Sequence, residues 1–248
     1  MSINDRVRAT LVGELGLRRC SSLLNLNHTQ VRRCCEPLLA LLQPRADADA
    51  WAPTPWGHTL PRSCVGASKA AYLASLAARP SAACAALEQV FAAPLVAWLE
   101  QQFGLPLQPL ALAQGTSLPC WALRVMAEGK GIEPHCEQVW NPLNLVESGS
   151  LLPVAFEPAF QLSYLYVLEA PAQGGELELF DRQGLATRGR TMRLRSTAVV
   201  PPRPGELLLF NAGVHWHRIR PSHTPGRRVV LGGFVRLNSS HTALHAYV

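Results

Sequence analysis

From about Leu118 onward the chain is a succession of short apolar or alternating runs, each closed by Gly, Pro or Asn. "CWALRVMAEG", "IEPHCEQV", "QLSYLYVLEA", "GELELFD", "TMRLRSTAVV", "GELLLFNA", "VHWHRIR" and "RRVVLGGFVRL" follow one another with no helical stretch between them. Parallel neighbours need a crossover of a dozen or more residues, usually a helix, so this spacing argues against β-α-β units and predicts an antiparallel sandwich or barrel. The earlier part of the chain reads differently. "NDRVRATLVGELGLRR", "QVRRCCEPLLALLQ" and "GASKAAYLASLAARPSAACAALEQVFAAPLVAWLEQQFG" are rich in Ala and Leu, with apolar residues at intervals of three and four, which predicts helices. Between the second and third of these, "QPRADADAWAPTPWGHTLPRS" is a loop, because its prolines interrupt both regular structures. A mostly helical support region over 1–115 and a β core over 116–240, packed as one integrated domain, is the expected organisation.

The formal charge of +6 comes almost wholly from arginine, since Lys69 and Lys130 are the only lysines. The arginines are scattered and form no basic block interleaved with aromatics, so nucleic acid is not expected as a partner. An acidic small molecule would account equally well for one or two of them. The seven cysteines are odd in number and irregularly spaced, without a C-x-x-C pair, and read as reduced, mostly buried thiols. No apolar run approaches the roughly 18 or more residues of a membrane span, and the N-terminal stretch lacks an uninterrupted signal-peptide core with a small-residue cleavage site. A cytoplasmic protein without membrane contact is expected, and oligomeric state is not legible.

The chemistry starts from "GIEPHCEQVW", residues 131–140. Side chains i and i+2 of a strand point the same way, so His135 and Glu137 can both face a barrel interior. An ionised carboxylate there needs a cation, and a metal ion is the partner that also uses the imidazole. "FNAGVHWHRIRP" supplies His215 and His217, again sharing a face. Two histidines and one carboxylate from different strands form the facial triad that holds non-haem Fe(II) and leaves positions open. Arg228, eleven residues after His217, opens the last of these strands, where a buried guanidinium could clamp a carboxylate through two parallel hydrogen bonds.

With "HCE" (135–137), "GGELELF" (174–180), "PGELLLF" (204–210), "HRIRP" (217–221) and "GRRVVL" (226–231) in that order, the chain resembles the Fe(II)- and 2-oxoglutarate-dependent oxygenases, especially their prolyl-hydroxylase-like branch, over about Leu118 to Leu237. The resemblance implies a double-stranded β-helix, a jelly roll of cupin type, buttressed by the N-terminal helices. It implies His135, Glu137 and His217 as iron ligands and Arg228 as the clamp on the distal carboxylate of 2-oxoglutarate. Fe(II), 2-oxoglutarate and O2 are the implied cofactor and cosubstrates. The implied reaction oxidises an unactivated C–H bond of a small molecule such as an amino acid or biosynthetic intermediate, by hydroxylation, desaturation or cyclisation.

Several alternatives stay open at the level of sequence. Alternation does not separate His215 from His217; only the following "RIRP" favours His217. Arg227 and Arg228 face opposite sides, and the G-x-R-x-x-L spacing selects Arg228. "LSYLYVLEA" offers Tyr164 and Tyr166 for the second cosubstrate contact, with Tyr166 as the candidate, although the tyrosine of the family pattern falls on Val167. Halogenating relatives replace the carboxylate by a small residue, so Glu137 counts against halogenation. A peptide side-chain hydroxylase, a cupin-type metalloenzyme that uses no 2-oxoglutarate and a non-catalytic binding module are the alternative functions.

Overall fold

The computed structural model describes residues 18–19, 26–40, 74, 81–112, 115–137, 154–183, 193–223 and 226–248. Every one of the eight predicted runs contains a strand: β3 (Ala122–Met126), β4 (Ile132–His135), β5 (Phe156–Glu169), β6 (Leu177–Gln183), β7 (Arg193–Val200), β8 (Leu207–Asn211), β9 (Trp216–Ile219) and β10 (Arg228–Asn238). Among the described residues they divide into two sheets. The major sheet runs β1-β8-β5-β10-β11-β2 with β3 also paired to β10, and the minor sheet runs β4-β9-β6-β7. Here β1 is Arg18–Arg19, β2 is Leu107–Pro109 and β11 is Leu244–Tyr247. All pairings are antiparallel except β11 with β2, which gives the expected mainly β, jelly-roll architecture.

Alternation along β5 and β10 separates two cores. Tyr164, Tyr166 and Leu168 of β5, with Val229, Leu231, Val235 and Leu237 of β10, pack on the helix side together with Phe91, Leu95 and Leu99. Leu165, Val167 and Val230 point the other way and meet Leu177, Leu179 and Ile219 of the minor sheet, closing the barrel interior. Each fully buried side chain of this size contributes roughly 1.5–3 kcal/mol.

Among the described residues the helical layer includes α1 (His28–Ala40), α2 (Ser81–Leu87) and α3 (Ala93–Phe103), with a π-helical turn at Glu88–Ala92 joining the last two. Pro94 has no N–H to offer the carbonyl of Val90, and its ring crowds that carbonyl, so the turn before it widens. Gly104 ends α3 in the left-handed region (φ 65°), its N–H closing on the Glu100 carbonyl at 2.7 Å. Two carboxylates fasten this layer to the sheet: Glu88 accepts from the Trp121 indole at 2.8 Å and Glu100 from the Leu107 amide at 2.9 Å.

Three expectations need correction. Arg18–Arg19, read as the end of a helix, is a short strand against Leu208 and Leu209, where it covers the exposed edge of β8. Glu137 is not in a strand: β4 ends at His135, and Glu137 lies in the following turn, its N–H donating to the Ala212 carbonyl at 2.9 Å. Lastly, Ala82–Phe103 is a helical segment of 22 residues with mean hydropathy 1.6, long and apolar enough by length and composition to cross a membrane. Its apolarity comes from closely spaced Ala, Leu and Val around Glu88 and Glu100 rather than from one uninterrupted run. In the fold it buries Phe91, Leu95, Trp98 and Leu99. The predicted loop over 43–63 lies outside the described residues.

Candidate metal centre and cosubstrate pocket

The antiparallel pairing of β4 with β9 sets His135 directly opposite His217, their ring centroids 4.2 Å apart. Each imidazole is steered by its own backbone. Nδ1–H of His135 donates to the Glu133 carbonyl at 2.8 Å, and Nδ1–H of His217 donates to the His215 carbonyl at 3.0 Å. With Nδ1 committed as donor, Nε2 is left as the lone-pair donor to a metal. Glu137 brings Oε1 to 3.6 Å from Nε2 of His135. One donor atom from each of His135, Glu137 and His217 lies within 4.8 Å of the others. Phe210 packs edge-on against the His217 ring at 4.8 Å and fixes its plane.

The protonation states suit a cation. Burial, assisted by His135, pushes the His217 pKa down to about 4, so the ring is neutral at physiological pH. Burial alone would raise Glu137, but its contact with His135 and the fields of His217 and Arg124 outweigh it and hold the carboxyl below its usual value. Two imidazoles and one carboxylate form a donor set that suits Fe(II).

Arg228 points into the barrel and is 1% exposed. Its Nε, Nη1 and Nη2 have no hydrogen-bond partner among the described residues. Burial and the neighbouring Arg124 lower its pKa to about 10, so it stays charged. A buried guanidinium with all three nitrogens open is costly unless an anion joins it. Gly175 explains part of the "GGEL" signature: at φ 72° it suits glycine, and a Cβ there would sit 3.3 Å from Cδ of Arg228. Arg227 turns the opposite way, to the surface, where it forms a two-pronged salt bridge to Glu169 at 2.8 and 3.2 Å.

The structure does not bring Tyr166 to this pocket. Tyr166 faces the helices, its ring tilted against Phe91 at 5.4 Å, with its hydroxyl 3.2 Å from Nδ1 of His28. The alternation that sends Val167 inward sends its neighbour Tyr166 outward, so the expected second contact to the cosubstrate is withdrawn. Tyr164 shares the outward face. His215 precedes β9 and is not part of the donor cluster. Cys136 points away from the donors, its thiol donating to the Gly213 carbonyl at 3.3 Å.

Two interior arginines escaped the sequence reading. Arg124 of β3 stands opposite Val230, buried, with its guanidinium 5.5 Å from the Phe234 ring centroid. Arg236 of β10 is also buried. Only the parity of each with Arg228 along the paired strands could have marked them in the sequence.

A profile of the family described as carrier-protein-independent halogenase WelO5 matches residues 110–248, more than half of the chain. The chain belongs to the WelO5 family. Among solved structures, an N-substituted L-amino acid dioxygenase from Burkholderia ambifaria AMMD is 16% identical with a TM-score of 0.57, the match covering 100% of this chain and 92% of that one. The same enzyme in complex with alpha-KG gives 13% identity and the same TM-score. A 2OG-Fe(II) oxygenase family oxidoreductase from Burkholderia pseudomallei is 14% identical with a TM-score of 0.50, covering 100% of this chain and 95% of that one. These structures share the fold. No curated protein sequence matches the chain. This WelO5-family member is a non-haem iron, 2-oxoglutarate-dependent oxygenase whose cofactor and cosubstrates are Fe(II), 2-oxoglutarate and O2.

Proposed function

We propose that this WelO5-family enzyme oxidises an unactivated C–H bond of a small organic molecule, with His135, Glu137 and His217 holding the iron and Arg228 the distal carboxylate of 2-oxoglutarate. Bound there, iron with 2-oxoglutarate and O2 supplies an oxidant strong enough for such a bond, 2-oxoglutarate being decarboxylated to succinate. The protein's own contribution is positional. The two backbone-anchored imidazoles present fixed Nε2 donors, the Arg228 side chain fixes the far end of the cosubstrate, and the apolar wall of Leu165, Val167, Leu179 and Val230 keeps water out.

The observation that carries oxygenation over halogenation is Glu137. Its carboxylate completes the donor set and fills the position that a halide would need. The family description names a halogenase, and this chain departs from that chemistry at this residue. The dioxygenase from Burkholderia ambifaria supports an amino acid derivative as the substrate class. Hydroxylation is the first product expected, with desaturation and ring closure as the alternatives for the same oxidant. We further propose a cytoplasmic location, which agrees with the free thiols of Cys34 and Cys35.

The test is turnover of a panel of free and N-substituted L-amino acids with Fe(II), 2-oxoglutarate, O2 and excess chloride, followed by mass spectrometry. Products heavier by one oxygen, or lighter by two hydrogens, support the proposal. A chlorinated product from the unmodified enzyme refutes it.

A further inference from the structure

Beyond Arg228, the interior face of the major sheet carries a second polar row. The register pairs Arg236 of β10 with Gln161 of β5 on one side and His245 of β11 on the other. Paired residues share a face, and this face is opposite to that of Val235 and Leu162, which pack toward the helices. Gln161, Arg236 and His245 are 4%, 6% and 7% exposed. Nε of Arg236 and Nδ1 of His245 have no hydrogen-bond partner among the described residues. Nη2 of Arg236 donates a long bond to the Glu157 carbonyl at 3.4 Å, and the Glu157 carboxylate lies 3.5 Å from His241. A buried cation and a buried imidazole with open polar atoms form a second concentration of unsatisfied polarity inside the barrel, apart from Arg228.

The row lies beside the donor cluster. The Gln161 carbonyl accepts from Gly213 N–H at 3.1 Å, and the neighbouring Ala212 carbonyl accepts from Glu137 N–H at 2.9 Å. Tyr247 falls within the electrostatic reach of both Arg236 and Glu137. Aromatic rings surround the row. Arg236 lies 5.0 Å from the Phe156 centroid, Phe156 meets His245 edge-on at 5.7 Å, and Phe234 contacts Tyr247 at 5.5 Å. Arg228 sits eight residues along β10 from Arg236, too far for one small dicarboxylate to reach both while also chelating a metal.

We infer that Arg236, with His245 and Gln161 beside it, is a specificity site that binds a carboxylate of the organic substrate, the aromatic rings enclosing its apolar body. The substrate is thus an organic acid, held at one end by Arg236 while its reacting carbon faces the metal centre. This inference rests on the proposed function and adds the charge of the substrate to it. A bound carboxylate accepts from Nε of Arg236 and from a protonated Nδ1 of His245, leaving neither donor open.

The probe is para-fluorophenylacetate, compared with its uncharged amide, each titrated calorimetrically into the full chain loaded with Fe(II) and saturating 2-oxoglutarate without oxygen. Saturation fills the Arg228 site, so heat reports a second carboxylate site. Loading is followed separately, and its failure counts against the proposed function rather than against this inference. The acid should bind at least tenfold more tightly than the amide. Arg236→Gln should abolish that preference, Arg236→Lys should keep part of it, and His245→Ala should reduce it less, all with unchanged 2-oxoglutarate affinity. A purely structural role for Arg236 would lower the melting temperature without changing the acid-to-amide ratio. Equal affinity for acid and amide, no binding of either by the loaded wild-type protein, or an undiminished preference in Arg236→Gln and His245→Ala overturns the inference.

Discussion

The two sheets of this molecule divide the work in different ways. The major sheet is covered by helices on one face and by the barrel on the other, and it contributes the cations Arg124, Arg228 and Arg236. The minor sheet is smaller, and it contributes the proposed metal donors His135 and His217, with Glu137 just beyond the end of β4. Its opposite face carries no helix among the described residues; instead Glu178 bridges Arg218 at 2.7 Å and Arg220 at 2.8 and 3.0 Å. A guanidinium keeps its charge even when buried, so a rigid apolar wall can present it to an anion. Metal donors need only local orientation, which the backbone carbonyls of Glu133 and His215 provide on short strands.

The sharpest way to separate the two sheets is to remove a donor. His217→Ala should abolish Fe(II) binding, and His135→Ala should do the same, whereas His215→Ala should retain it; equilibrium dialysis with Fe(II) reads all three. Tolerance of His217→Ala together with loss in His215→Ala would reverse the ligand choice. On the other sheet, Phe91→Ala opens a cavity between the helices and β5, and should cost about 3–5 kcal/mol in denaturant unfolding. An effect below roughly 1 kcal/mol would mean that the helical layer is not a rigid support.

Next in size, Arg228→Ala should weaken 2-oxoglutarate binding by roughly 2–3 kcal/mol, the value of a charged bidentate contact. Arg227→Ala should leave it nearly unchanged, since Arg227 is engaged with Glu169 at the surface. Equal losses in a titration of the two variants would remove the distinction between them.

The smallest effect belongs to the outer face of the minor sheet. The bonds from Arg220, Ser196 and Arg218 hold the Glu178 pKa at about 2, below its usual 4.5. A depressed carboxylate stabilises the folded state fully above about pH 4.5 and loses that contribution as pH falls toward 2. Glu178→Gln should therefore melt lower than wild type at neutral pH, and the gap should close on acidification across this window. A gap as large at pH 3 as at neutral pH, or larger, would show that the cluster acts through something other than charge.

How far the sequence discloses this arrangement differs between the same two regions. The strands of both sheets are legible because alternation and Gly or Pro punctuation repeat along the second half of the chain. His135 and His217 are legible through their ordered motifs. Glu137 is legible as a residue but not as a position, because the strand stops two residues before it. β2 and β11 are not legible: "LQP" contains a proline and "LHAY" is too short for a period, and they are fixed only by tertiary pairing, β11 with β10 and β2 with β11. Arg124 and Arg236 resemble ordinary outward-facing charges in "ALRVM" and "GFVRL"; burial of both faces of β10 makes them interior. Tyr166 fails for the converse reason, since a tyrosine suits either face and only the parity with Val167 assigns it to the helices.

The most direct test of the central claim is anaerobic addition of Fe(II) and 2-oxoglutarate to the purified protein, watching for the weak visible charge-transfer band of the chelate. The account predicts a band only when both are present, retained in Arg227→Ala and displaced to much higher 2-oxoglutarate concentration in Arg228→Ala. Tight Fe(II) binding with no band at any 2-oxoglutarate concentration would contradict it.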